Sequence, residues 1–242
     1  MAFTFSVASG NPIISTDQSK IGSTSAKFTP SVATPDEVGT PDDPAWVMGG
    51  GSGPFTIEFW LYFLNSNNCG LRIGQNDFDA TLADYWRLQA FYLSGSNIFN
   101  YEQRKDAGTV FALQPTPSNN RFSSATWHHF CVSRDGSTHR LFLDGTVMDS
   151  GGGGWVNADE PSTFSIKGYQ PFSGTGGTVY VDELRISTVA RYTSNFVPQT
   201  TPFVPDEDTV LLMHFEGNDG STDFIDSSDE SPQGRLINAI II

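Results

Sequence analysis

Basic residues are scarce in this chain. It carries 13 Lys and Arg against 27 Asp and Glu, a formal charge of −14 at pH 7 over 242 residues. Such a charge is repelled by phosphate backbones and by anionic lipid, which argues against nucleic-acid binding. Its plainest consequence is solubility; a second is affinity for hard cations, which exposed carboxylates collect. Cysteine is nearly absent, with only Cys69 and Cys131. Two cysteines make no disulfide framework, and neither lies in a metal-ligand spacing. A Cys69–Cys131 bridge stays open, although Cys131 reads more simply as a small buried residue. No apolar run approaches the ~20 residues that a membrane helix needs, so no membrane insertion is expected. The opening MAFTFSVASG has no positive n-region and no long apolar h-region, so no secretory signal is expected either. Helical periodicity is almost missing; only Phe78 to Leu88 suggests a short helical turn.

What the chain does have is period-two alternation punctuated by turn residues. Trp127 to Gly145 reads WHHFCVSRDGSTHRLFLDG. Phe130 and Val132 alternate with His129 and Cys131, and Leu141 and Leu143 with Arg140 and Phe142. Asp135-Gly136 is a favoured hairpin turn, and Asp144-Gly145 repeats it, so a three-strand meander is predicted. Phe55 to Phe63 places Ile57, Phe59, Leu61 and Phe63 on one face and Glu58, Trp60 and Tyr62 on the other. Apolar residues on both faces predict a central, doubly covered strand. Further strands are expected at Ala2 to Ala8, Ser25 to Thr29, Leu71 to Ile73, Trp86 to Leu93, Val110 to Leu113, Phe164 to Lys167, Val179 to Ser187, Val210 to Phe215 and Arg235 to Ile242. Pro30 to Pro54 reads as a long surface loop, with a brief strand at Ala45 to Met48. About twelve to fourteen strands without βα alternation predict an all-β fold of two packed antiparallel sheets. The length suits a single domain, residues 1–242.

Four segments, TIEFWLYF, WHHFCVSRDGSTHRLFLDG, VYVDELRIS and VARYTSNF, together resemble the laminin-G-like, concanavalin-A-like lectin/glucanase jelly rolls. The form they most resemble recurs in bacteriophage structural proteins. That resemblance implies a jelly-roll sandwich that recognises glycans or builds virion surfaces, with Trp127, Trp60 and Asp182 at structural positions. In phage members, a segment like TVLLMHFEGNDGSTDFIDSS usually opens the domain, yet here it spans Thr209 to Ser228. The segment 206–242 therefore looks cyclically shifted relative to the family unit. Its terminal strand either closes its own sandwich or pairs with a neighbouring subunit.

The resemblance implies a virion protein (capsid decoration, tail or fibre) made in the host cytoplasm and displayed on the particle. Its expected partners are other virion proteins, copies of itself, or host glycans; the alternative is a carbohydrate-binding lectin with or without calcium. An enzyme is not expected. The Glu-x-Asp-x-x-Glu strand of the glucanase branch is missing, and alternation puts Asp182 and Glu183 on opposite faces. A chance Ser-His-Asp arrangement around His128, His129, His139 or His214 stays open. Calcium, common in such jelly rolls, has candidate carboxylates in Asp206 and Asp208, and in Asp77/Asp79 and Asp226/Asp229. The Asp77 to Asp84 stretch fails as an EF-hand because Leu82 stands where glycine is required. Candidate sugar-stacking rings are Trp46, Trp86, Tyr92, Tyr101 and Trp155, each set against the core position that large aromatics usually take. Trp60 and Trp127 are assigned to the core. Asp182 is expected to be a structural acceptor that ties down a loop.

Overall fold

A computed structural model describes residues 2–47, 52–65, 68–75, 85–93, 96–105, 108–116, 122–153, 163–170 and 176–229. The strands are Ser6–Ser9 (β1), Ile13–Ser15 (β2), Ser25–Phe28 (β3), Asp36–Thr40 (β4), Phe55–Phe63 (β5), Cys69–Gln75 (β6), Tyr85–Leu93 (β7), Ser96–Lys105 (β8), Gly108–Leu113 (β9), Trp127–Arg134 (β10), Thr138–Leu143 (β11), Thr146–Gly152 (β12), Phe164–Tyr169 (β13), Val179–Ser187 (β14) and Thr209–Met213 (β15). They form two antiparallel sheets. One runs β1-β4-β13-β6-β7-β8-β9, the other β12-β11-β10-β5-β14-β3-β2. β3 pairs with the first half of β14 and β15 with the second half, along the same edge.

The inward faces follow the alternation. Phe55, Ile57, Phe59, Leu61 and Phe63 of β5 join Phe130 and Val132 of β10 and Val179, Val181, Leu184 and Ile186 of β14. Leu71, Ile73, Trp86, Leu88, Phe99, Phe164 and Ile166 meet them from the other sheet. Rings lock the two layers: Phe130 stacks on Phe59 at 5.8 Å and takes the edge of Phe99 at 4.8 Å. The jelly-roll expectation therefore holds. So does the central meander of β10, β11 and β12.

Several local expectations change. The Pro30 to Pro54 loop contains β4, and Ala45 to Val47 is no strand, while Met48 lies outside the described residues; Pro44–Trp46 is a single 3-10 turn capped by Asp43. Proline at its start and the Asp43 carboxylate on Ala45 N (2.9 Å) favour that turn over an extended run. β8 was not anticipated, and Tyr85 to Leu88 belongs to a strand rather than a helical turn. No disulfide forms: Cys69 and Cys131 are both free and buried. Burial pushes the Cys69 thiol up to about 12. Arg235 to Ile242 lies outside the described residues.

The C-terminal segment, as far as 229, closes on its own chain. Thr4 bridges Ile225 in antiparallel fashion. Asp226 accepts from Phe3 N (2.8 Å), Leu212 N (3.2 Å) and Ser228 N (2.9 Å), and Asp229 accepts from Ala2 N (2.7 Å). Asp226 and Asp229 thus fasten the segment 212–229 to Ala2 and Phe3.

Candidate functional site

The outer face of the eight-stranded sheet is built in rows that cross β10, β5 and β14. Pairing sets Ser133, Thr56 and Ser187 in one row, Cys131, Glu58 and Arg185 in the next, then His129, Trp60 and Asp182, then Trp127, Tyr62 and Tyr180. Lys27 of β3 extends the last row. The order survives an irregularity in β14 between Asp182 and Arg185. Glu183 takes a positive φ of 52° there, so two residues face one on β5 as in a β-bulge. Asp182 and Glu183 consequently share the outer face, which corrects the opposite-face expectation.

The first three rows are roofed. Thr56 Oγ1 donates to Val189 O (2.8 Å) and accepts from Arg191 N (2.9 Å). Glu58, fully buried, accepts from Arg185 Nε and from Tyr192 Oη, each at 2.9 Å. His129 Nε2 lies 3.3 Å from Oε2, the oxygen that accepts from Tyr192. Burial pushes the Glu58 carboxyl up, but the His129 ring and the Arg185 guanidinium outweigh it, and the net shift is downward. Phe203 lies over the Arg185 guanidinium at 4.2 Å. In the third row, Trp60 Nε1 donates to Gln199 O (3.3 Å), and Lys20 Nζ sits 4.1 Å above its ring. Asp182 Oδ2 accepts from Lys20 N (2.7 Å) and Ile21 N (3.0 Å), which ties that loop to the sheet. Glu183 accepts from Phe203 N (2.8 Å) and lies 2.7 Å from His214 Nδ1.

The fourth row is different. Trp127 and Tyr62 are half-buried, 5.5 Å apart between ring centroids and tilted by 50°. Tyr180 meets Tyr62 edge-on at 5.9 Å and is itself buried, its hydroxyl directed at Asp17 Oδ2 (3.4 Å). Lys27 Nζ pairs with that same carboxylate oxygen at 2.6 Å. The hydrogen bond and charge of Lys27 hold Asp17 below the usual carboxylate range. Leu64, two residues after Tyr62, is 40% exposed. The result is an aromatic and apolar strip that ends in a polar pair. Sugar binding asks for such a strip, because C–H faces stack on rings while hydroxyls need donors and acceptors.

Trp127 is fixed by a clamp. His128 Nδ1 lies 2.7 Å from Asp144 Oδ2, and His128 Nε2 lies 3.2 Å from Ser123 Oγ. These are the distances of a hydrolase triad. However, Nε2 also accepts the main-chain N–H of Ser123 at 3.1 Å, so its lone pair is engaged in holding the loop. Asp144 Oδ1 in turn accepts from His129 N (2.8 Å). The set fastens the loop before β10 to the β11–β12 turn.

The candidates named from sequence fall elsewhere. Trp46, Trp86 and Tyr101 are fully buried and offer no face to a ligand. Trp46 stacks on Phe164 at 4.4 Å and its carbonyl accepts from Trp86 Nε1 (2.9 Å), so these rings fill the gap between sheets. Tyr92 packs against Phe63 and Phe122 at the core margin. Trp155, like Asp77 and Asp79, lies outside the described residues. Asp206 is held by two nitrogens of Arg191 at 2.9 and 2.7 Å, and Asp208 N donates to Asp206 Oδ1 (3.2 Å). Among the described residues no three His, Cys, Asp or Glu side chains gather as metal ligands. Trp60 is buried as expected, though on the outer face under the roof; the core assignment of Trp127 is corrected, for it stands half-open beside it. Tyr62 was missed, although its alternation with Phe59, Leu61 and Phe63 already placed it outward.

Among curated proteins, none matches this chain in sequence. Solved structures share its fold. The binding domain of Paraclostridial Mosquitocidal Protein 1 superposes with a TM-score of 0.57 at 16% identity, covering 78% of this chain and 45% of that one. The botulinum neurotoxin serotype G binding domain gives 0.54 at 14% identity, covering 78% and 44%. The binding domain of botulinum neurotoxin DC in complex with SialylT gives 0.55 at 13%, again covering 78% and 44%. This chain therefore spans less than half the length of each. The profile of the concanavalin A-like lectin/glucanases superfamily matches residues 30–194, which leaves β1, β2, β3 and β15 outside the matched range. With two thirds of its length so matched and two antiparallel sheets in a sandwich, the chain belongs to the concanavalin A-like lectin/glucanase superfamily.

Proposed function

We propose that the chain is a non-enzymatic, lectin-like binding module that stacks a glycan on Trp127 and Tyr62. One observation carries this reading. Beside three rows of β10, β5 and β14 that are covered by the chain itself, the fourth row keeps two aromatic rings half-open next to a polar pair. A solved relative in fold, the botulinum neurotoxin DC binding domain, is in complex with SialylT, which supports carbohydrate as the ligand class. A glycan array on the intact chain and on Trp127→Ala tests the reading. The intact chain is expected to bind at least one glycan class, and the variant to lose about tenfold or more in affinity, the order of one aromatic contact. Equal binding by both proteins would refute the assignment of Trp127.

The finer reading is a phage virion protein exposed on the particle as a capsid decoration, tail or fibre component. The motif set shared with phage structural proteins favours it, as does the acidic charge, which suits an outward face rather than contact with packaged DNA. Gold-labelled antibody on purified particles should mark their outer surface; label confined to soluble lysate would contradict it.

A further inference from the structure

We infer that the fourth row receives the interior of a linear, uncharged glycan laid across the strands, not a single terminal sugar. This rests on the glycan reading above and names its ligand class. Trp127, Tyr62 and Tyr180 are paired across three neighbouring strands, so the row runs across the sheet. Neighbouring strands lie about 4.8 Å apart, and the ring spacings of 5.5 and 5.9 Å keep nearly that pace. Such a step is close to one pyranose ring with its glycosidic link. A chain lying along the row therefore meets a new side chain with each sugar: Trp127, then Tyr62, then the Lys27–Asp17 pair above Tyr180.

The chemistry of each step fits that order. The two rings take C–H faces, Asp17 accepts from hydroxyls and Lys27 donates to them. The rings of Trp127 and Tyr62 are tilted by 50° to each other, which suits a single twisted chain better than a flat crystalline surface. At its Lys27 end the row leads to solvent, where Asp17 is exposed. A glycan can therefore run on past that end.

Charge selects against acidic sugars. Lys27 is compensated by Asp17, and the ammonium of Lys20 lies on the roofed Trp60 ring. These are two of the four lysines in a chain of net charge −14, so an anionic glycan meets no uncompensated cation in the row and a repulsive field around it.

The test has two arms. An array of neutral and acidic glycans, including polygalacturonate and polysialic acid, is followed by calorimetric titration of the best neutral binder as a series of one to six sugars. Affinity should be unmeasurable for the monosaccharide, rise at each step to about three sugars and then level off. Trp127→Ala should remove one step of that rise, and Asp17→Asn should weaken the trisaccharide while sparing the disaccharide. Tyr62→Ala should remove a further step of that rise while the circular dichroism of the intact chain is kept. A monosaccharide that binds as tightly as the longer chains would overturn the inference, as would binding to acidic glycans alone. Binding to nothing on the array would overturn the glycan reading itself, a different outcome from either.

Discussion

Trp127 owes its position to its neighbour in sequence. The His128 imidazole is held between Asp144 and Ser123, so the strand enters the sheet at a fixed point and the indole turns outward onto Tyr62. Asp182 works similarly for the opposite wall, with one oxygen holding the main chain at Lys20 and Ile21. Its other oxygen, Oδ1, is buried without a hydrogen-bond partner. Burial raises the Asp182 pKa to about 7, against the lowering pull of the two N–H groups. Because the folded value lies above the unfolded 3.8, the folded state binds the extra proton between those limits. Its contribution to stability is full below about pH 3.8 and is lost as pH rises through 7. In Asp182→Asn, which keeps an acceptor but cannot ionise, the melting temperature should lose this downward slope between pH 4 and 8. An unchanged slope in the variant would place the titration elsewhere.

At the scale of elements, alternation was legible and tertiary cover was not. The inward set of β5 could be read directly from FTIEFWLYF, and the β11–β12 turn from Asp144-Gly145, both of which take positive φ as a tight hairpin requires. The same alternation, extended from His129 and Cys131 back to Trp127, would have placed that indole outward; size alone suggested core. β8 escaped because SNIFNYEQRK carries polar residues on both faces. The bulge at Glu183 left no mark in VYVDELRIS, since neither proline nor glycine announces it. The roof from Val189 to Phe203 is irregular, and its order comes from Glu58, Thr56 and Trp60 beneath it. Gly145 joins the two scales. Its φ is 76°, and a Cβ there would stand 2.0 Å from Phe196 O in the roof. Gly145→Ala should therefore cost more than the about 1–2 kcal/mol of a left-handed alanine. That corresponds to at least about 2–4 °C in melting temperature per kcal/mol for a chain of this size. Gly136→Ala, with no atom within 4 Å of the new Cβ, should cost less. Equal losses would mean that the Phe196 contact carries no weight.

Across the whole molecule, the two sheets present unlike outer faces. The eight-stranded sheet is covered by its own chain over three rows and opens at the fourth. On the seven-stranded sheet, several outward side chains pair with one another. Arg87 pairs with Glu102 at 2.7 Å, Lys167 with Glu37 at 3.4 Å, and Arg72 lies 4.3 Å from the Tyr169 ring. Thr4 meets Ile225 in an antiparallel bridge, and the profile match covers residues 30–194, which leaves β1, β2, β3 and β15 outside its range. One measurement tests the central claim directly: a crystal structure of the intact chain soaked with its strongest-binding oligosaccharide. The account predicts sugar density stacked on Trp127 and Tyr62 and running across β10, β5 and β14 towards Lys27 and Asp17. Density on the seven-stranded sheet, with the fourth row empty, would contradict it.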